Sequence, residues 1–104
     1  MSSFYNITGS TGVTVELKAP GDETTVTSLM LTNIHSSTNA TVTLFIENDP
    51  NSGVTSNFKI INTLSISPSV TLLLDKNTFP SFDIEYGLYI TVGSSDTVDV
   101  IINN

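Results

Sequence analysis

The sequence predicts an all-β protein: a two-sheet antiparallel β-sandwich, immunoglobulin-like or jelly-roll in type, with seven to eight strands. Apolar residues alternate with polar ones at a period of two in many short runs, and no window of helical length shows apolar spacings of three and four. Gly, Pro, Asn and Asp separate these runs at intervals of about ten residues, as in a sandwich. A small closed barrel is the alternative architecture.

The individual strands are predicted from runs of alternating residues and the turns between them. Val13, Val15 and Leu17 share one face of the first strand, which ends at a Pro-Gly-Asp turn. Further strands are predicted at residues 24–34, 42–46, 58–64, 70–74, 84–92 and 98–102. The fourth strand ends before Pro68, because proline cannot donate a ladder hydrogen bond. Segment 84–92 supplies one or two strands, so the total is seven or eight.

One domain is expected from a chain of 104 residues, which can form one modest core. Residues 1–12 are predicted to form an N-terminal arm, because this segment is too polar to belong to a core. Residues 13–104 are predicted to form a single β-sandwich domain.

Composition excludes several classes of function. Ten acidic residues face three lysines and no arginine, for a net charge of −7, and such a surface repels nucleic acid. No apolar run approaches the ~18 residues that span a bilayer, and the N-terminus lacks a basic start and an apolar centre. We therefore expect a soluble, unexported protein with no nucleic-acid or membrane partner. The absence of cysteine excludes disulfides and thiolate metal sites.

Candidate catalytic groups are few. His35, the sole histidine, is the only ordinary base for nucleophilic catalysis, and it lies in the turn-like segment HSSTN. Asp83 and Glu85 could share a strand face as a carboxylate pair, but we interpret them as the solvent-facing side of an edge strand. No enzymatic activity and no catalytic residue are predicted.

The segment IENDPNSGVTSNF, residues 46–58, is the best candidate for a metal loop in the sequence. Calcium takes about six to eight oxygen ligands, whereas this loop offers charged oxygens only from Glu47 and Asp49. Asp-Pro and Ser-Gly are turn formers in their own right. We interpret the segment as a connection between strands, and we predict no metal and no cofactor.

Several motifs follow one another in the order found in a known group of proteins. They are Leu31-Thr32-Asn33, Thr41-Val42-Thr43, Ile66-Ser67-Pro68, Leu72-Leu73-Leu74-Asp75, Gly87-Leu88-Tyr89-Ile90 and a closing strand at 98–102. Over residues 26–103 the chain resembles small β-sandwich virion proteins of tailed bacteriophages, of the marine or cyanobacterial type. It departs from their pattern at two places: Leu88 follows Gly87 directly, where the group usually has Gly-Asp before the aliphatic strand, and Ser67 separates the isoleucine from the proline.

The resemblance implies a structural role in a virion that is assembled in the cytoplasm of the bacterial host. A capsid decoration (cement) protein is the preferred role, with the major capsid protein or other virion proteins as partners and a homo-oligomer within the assembly. A tail, neck or fibre component is the alternative within the virion. A carbohydrate or host-surface binding module, with Tyr86 and Tyr89 in its site, is the alternative from another class. Predicted interface residues are Phe4, Tyr5, Asp49, Asn51, Phe79, Tyr86 and Tyr89.

Overall fold

The computed structural model describes residues 2–8, 13–23, 25–48, 56–93 and 96–103. These ranges contain eight β-strands and no helix, which confirms the all-β prediction. The strands are β1 (Ser2–Thr8), β2 (Val13–Lys18), β3 (Ser28–Asn33), β4 (Ala40–Asn48), β5 (Asn57–Ile66), β6 (Thr71–Leu74), β7 (Tyr86–Val92) and β8 (Thr97–Asn103).

The eight strands form two four-stranded antiparallel sheets. Sheet A has the order β1-β8-β3-β6, and sheet B has the order β2-β7-β4-β5. The first strand pairs with the last, the second with the seventh, the third with the sixth and the fourth with the fifth. The chain is therefore one long hairpin, rolled so that β8 also pairs with β3 and β7 with β4. This order is that of a jelly roll, and it differs from the immunoglobulin order, in which the first two strands are neighbours.

An aliphatic layer lies between the two sheets. The central strands β3, β8, β4 and β7 each bury alternate residues, because successive side chains of a strand point to opposite faces. These residues are at most 2% exposed: Leu29, Leu31, Val42, Leu44, Leu88, Ile90, Val92, Val98, Val100 and Ile102. The layer is continuous from one sheet to the other.

The N-terminal segment differs from its prediction. Ser2–Thr8 is not an arm outside the sandwich but an edge strand of sheet A, paired with β8 along its whole length. Ile7 is buried in the core, and Tyr5 packs against the core. Asn6 and Thr8 are exposed on the other face of the strand. Two of the polar residues that suggested an arm, Asn6 and Thr8, are thus on the solvent-facing side of an alternating strand.

Several strand boundaries also differ from prediction by a few residues. The second predicted strand begins at Ser28 and not at residue 24, and the segment predicted at 84–92 begins at Tyr86. Asp83 and Glu85 precede β7 in a turn, where the Tyr86 N–H donates to the Asp83 carbonyl oxygen at 3.0 Å. The expected placement of this acidic pair on an edge strand is therefore wrong.

Asn33, at the end of β3, is a completely buried polar residue. Its Nδ2 donates to the carbonyl oxygens of Thr38 and Ile66, both at 2.9 Å. Its Oδ1 accepts a hydrogen bond from the N–H of His35 at 3.0 Å. One amide thus joins the loop after β3 to the end of β5, and both of its N–H groups and its oxygen have partners.

We expect Asn33→Asp to destabilise the protein by about 3–5 kcal/mol at neutral pH, since a buried carboxylate would face two carbonyl oxygens without a hydrogen to donate. Asn33→Ala leaves the same carbonyl oxygens unpaired without adding charge, so we expect a smaller loss of about 1–3 kcal/mol. Urea unfolding measures both, and Asn39→Asp, at an exposed position of the same loop, is the matched control.

The carboxyl group that Asn33→Asp introduces would have a raised pKa in the folded protein, because burial disfavours its charged form. The folded state then binds more protons than the unfolded state, so this variant should regain stability as the pH is lowered. A variant as stable as the wild type at neutral pH would contradict the assigned role of Asn33.

Candidate interaction surface

The outer face of sheet A has an apolar row that crosses all four strands. The register places Phe4 of β1 beside Ile101 of β8, Ile101 beside Met30 of β3, and Met30 beside Leu73 of β6. Phe4 is 71% exposed and Leu73 is 58% exposed, while Met30 and Ile101 are half-buried. We call these four residues the apolar row.

Polar residues flank the apolar row on both sides: Asn6, Asp99, Thr32 and Thr71 on one side, and Asn103 and Ser28 on the other. Many of these side chains bond to each other. Asn6 donates to the Asp99 carboxylate, and the hydroxyls of Thr32 and Thr71 lie 2.9 Å apart. Asp99 is the single charged residue of the two flanking rows. The face is therefore an apolar strip with a polar, nearly uncharged border.

The strip includes a shallow concavity. An open depression of about 300 Å³ lies beside Phe4, between β1 and β8, and its lining comprises Phe4, Tyr5, Asn6, Asp99, Val100 and Ile101. A side chain from another molecule could enter this depression and contact the Phe4 ring, which projects from the sheet.

The outer face of sheet B has a comparable row that the chain itself covers. Glu16, Tyr89, Phe45 and Lys59 lie side by side across its four strands. The rings of Phe45 and Tyr89 stack with centroids 5.6 Å apart, and the Lys59 ammonium lies 5.1 Å from the Phe45 centroid. As a result Phe45 is only 9% exposed although it faces outward. The ends of the apolar row in sheet A are therefore exposed to solvent, whereas Phe45 in the corresponding row of sheet B is covered by its neighbours.

The predicted interface residues of the N-terminal segment and the acidic loop have different outcomes. Phe4 lies at the end of the apolar row. Tyr5 points to the other face, where its hydroxyl donates to the Leu17 carbonyl oxygen at 3.2 Å. Asp49 and Asn51 lie outside the described residues.

Tyr86 and Tyr89 do not form a single aromatic platform. They are three residues apart on β7, so their side chains leave opposite faces of sheet B. Tyr86 lies near Phe58, with ring centroids 6.0 Å apart, whereas Tyr89 stacks on Phe45. A sugar site built from both tyrosines is not supported by this geometry.

Phe79 is not the exposed aromatic residue that was predicted. It is 7% exposed and packs in the core, with its ring 6.4 Å from that of Phe82 in an edge-on arrangement. The turn before it is closed by Asp75, whose carbonyl oxygen accepts from the Phe79 N–H at 2.8 Å. This turn directs the ring inward, so Phe79 is not part of an exposed surface of this chain.

Lys18 is a buried charged residue that the sequence did not single out. Strand β2 bulges between Glu16 and Lys18, and Leu17 has no partner in β7. The bulge leaves two successive residues, Leu17 and Lys18, buried. Gly87 allows the close approach of the strands here, because a Cβ at this position would lie 2.8 Å from the Lys18 carbonyl oxygen.

The Lys18 ammonium is held by main-chain oxygens. Its Nζ lies 3.1 Å from the carbonyl oxygen of Tyr86, and at 3.4 and 3.5 Å from those of Ala19 and Ile84. Burial lowers the pKa of Lys18, and the nearby Asp22 carboxylate partly opposes that shift. Because its contacts are with the chain's own carbonyl oxygens, we interpret Lys18 as a structural residue that joins the segment before β7 to β2.

Within the described ranges no three His, Cys, Asp or Glu side chains are grouped so that they could hold a metal ion. The same part of the chain has no helix with the length and apolar character needed to cross a membrane. No protein-family model matches the chain, and no curated protein sequence is significantly similar to it.

We expect Lys18→Met to lower the free energy of unfolding by about 1–3 kcal/mol at neutral pH, since three carbonyl oxygens lose a hydrogen bond from the buried ammonium. Those of Ala19 and Ile84 keep a main-chain donor, the N–H groups of Asp22 and Gly21. The pKa of Lys18 is lowered in the folded state, so above that pKa the unfolded state binds more protons than the folded state. Wild-type stability therefore gains from Lys18 as the pH rises toward 10.5, the ordinary pKa of lysine.

The difference in stability between the wild type and Lys18→Met should accordingly widen with rising pH. Urea unfolding over this pH range measures the difference, and Lys76→Met, at an exposed position, corrects for the loss of a positive charge. A difference that narrows as the pH rises would contradict the lowered pKa.

Proposed function

We propose that this protein is a non-enzymatic structural protein of a tailed-phage virion, a capsid decoration protein that binds neighbouring capsid subunits. The apolar row of sheet A is the observation on which the proposal depends. An exposed apolar strip with a polar border is typical of a protein contact surface. The resemblance of the sequence motifs to small virion sandwich proteins supplies the class of assembly.

The fold and the charge are consistent with this role. Jelly rolls include viral capsid domains, but they also include lectins and cupins, so the strand order alone does not select a function. The net charge of −7 opposes contact with nucleic acid and with acidic surfaces. Asp99 is the one charged residue in the polar rows beside the apolar row, which suits docking on an apolar patch of a capsid subunit.

The size of the face sets a limit on the contact. The four strands of sheet A have seven, seven, six and four residues. At about 4.8 Å between strands and roughly 3.4 Å per residue, they give a projected area of about 400 Å². Each partner of a standard interface buries roughly 800 Å². One copy docked through this face alone would therefore bind weakly, and additional contacts or additional copies are needed for firm attachment.

The location of the protein in its parent particle tests the proposed role. Electron microscopy of that particle should show density for the sandwich on the capsid shell, with sheet A toward the capsid subunits. Density on the tail, the neck or a fibre alone would exclude decoration and select the alternative within the virion.

We expect the double variant Phe4→Ser, Leu73→Ser to bind purified particles that lack the protein at least about tenfold more weakly than the wild type, because burial of each side chain contributes roughly 1.5–3 kcal/mol. Both residues are exposed, so the free energy of unfolding should change little, by about 0.5 kcal/mol per substitution. Cosedimentation with the particles measures the affinity.

Phe58→Ser is the matched control for this double variant. Phe58 is 56% exposed but lies on β5 of sheet B, away from the apolar row. We expect this control to bind as the wild type does. Equal affinity of the double variant and the wild type would refute docking through sheet A.

A further inference from the structure

We infer that β1 is a self-association edge: two copies of this chain pair through antiparallel β1 strands and join their A sheets into one eight-stranded sheet. In the part of the chain that the structure describes, β1 has a strand neighbour only on its β8 side. The outer side of β1 therefore presents main-chain N–H and C=O groups that another strand could bond.

The four edge strands differ in how well they are protected against such pairing. Strand β6 is only four residues long. Strand β5 has two irregularities in its pairing, and Thr63 within it has a φ of 54°. Strand β2 is bulged and includes Glu16 and Lys18. By contrast β1 pairs with β8 in an unbroken register over seven residues and has no charged residue, no proline and no bulge. Edges with those features pair readily.

The register shows which main-chain groups of β1 face outward. The Ile34 N–H donates to the Thr97 carbonyl oxygen at 3.3 Å, so Thr97 and every second residue after it on β8 direct their main-chain groups toward β3. The residues between them face β1, where they pair with its odd-numbered residues. The groups that face the open edge therefore belong to the even-numbered residues: Ser2, Phe4, Asn6 and Thr8.

A second copy of the chain fits this edge electrostatically. Two chains with a net charge of −7 repel each other over most of their surfaces. The edge at β1 is uncharged, and the acid nearest to it on the outer face, Asp99, accepts a hydrogen bond from Asn6. Pairing through β1 thus brings two copies together where their like charges oppose it least.

Strand β1 can also pair with β1 of a second copy so that each outward-facing residue lies opposite another. An antiparallel pair centred on Tyr5 matches all the outward residues and places Phe4 opposite Asn6 of the second copy. The two Phe4 side chains are then diagonal neighbours on the same outer face, a separation that aromatic rings can reach. The apolar rows of the two copies would become continuous across the new strand pair.

Pairing at the edge leaves the outer faces of both A sheets free. The joined sheet would present about 800 Å² in projection, twice the face of one copy, which matches the roughly 800 Å² per partner of a standard interface. A dimer of this kind would remove the limit on area that a single copy meets. The pairing itself does not depend on the proposed virion role, since it is measured on the isolated protein.

Sedimentation velocity over a range of concentrations tests the pairing with two variants of one residue. Asn6→Pro removes an N–H that faces the open edge but none that bonds to β8, a position where a strand tolerates proline. Asn6→Ala loses the same side chain and keeps the N–H. We expect a dimer for the wild type and for Asn6→Ala, and a dimer at least about tenfold weaker for Asn6→Pro, with an unchanged circular dichroism spectrum.

Amide hydrogen exchange of the wild type tests the same pairing without a variant. The N–H groups of Tyr5 and Ile7, which face β8, should be protected at every concentration. Those of Phe4 and Asn6 should become protected only as the dimer forms.

Three results would overturn the inference. The first is a wild type that remains monomeric up to about 1 mM, which would bound any pairing free energy below roughly 4 kcal/mol. The second is a dimer in which Phe4 and Asn6 still exchange freely, because the copies would then meet elsewhere. The third is protection of these two amides only when capsid particles are added, which would assign the edge to a segment of another protein.

Discussion

The aliphatic layer between the sheets is the constraint on which the rest of the structure depends. Within the described residues there is no helix to cover either sheet, and the sequence has no cysteine. Burial of the inward side chains of β3, β4, β7 and β8 must therefore hold the sandwich together. A slip of one residue in any of these strands would turn its aliphatic set toward solvent. The core thus fixes the register, and the register in turn fixes every row on the outer faces.

The apolar row follows from this fixed register. Three of its members lie between two inward apolar residues, in the runs Leu29-Met30-Leu31, Leu72-Leu73-Leu74 and Val100-Ile101-Ile102. In an antiparallel strand the middle residue of such a run faces outward. The pairing of β3 with β6 and β8 then aligns the middle residues, and β1 adds Phe4 at the edge. The row forms only because the registers of three strand pairs, β1–β8, β8–β3 and β3–β6, place these residues side by side.

The sequence predicted what depends on local pattern and missed what depends on distant pairing. Alternation and turn residues were enough for the strands from β2 to β8, within a few residues at their ends. They could not distinguish a jelly roll from an immunoglobulin order, because partners such as β1 and β8 are far apart in the chain. Among the members of the apolar row, Phe4 could be predicted as an interface residue because it is large and apolar. Leu73 and Met30 could not be predicted in this way. The runs of three apolar residues were visible, but their alignment was not. Phe79 was wrongly predicted to be exposed, because the sequence does not show whether an aromatic side chain in a loop points into the core or toward solvent.

The outer rows of the two sheets differ: the side chains in the row of sheet B cover one another, whereas those at the ends of the row of sheet A are exposed. In sheet B, Lys59 and Tyr89 cover Phe45, so that row contributes to the stability of the single chain. In sheet A, Phe4 and Leu73 remain exposed at opposite ends of the row, where side-chain burial contributes little to folding. A polar residue at either position would serve the fold equally well. We therefore propose contact with another molecule as the reason for the apolar character of this row, and the open edge at β1 lies directly beside it.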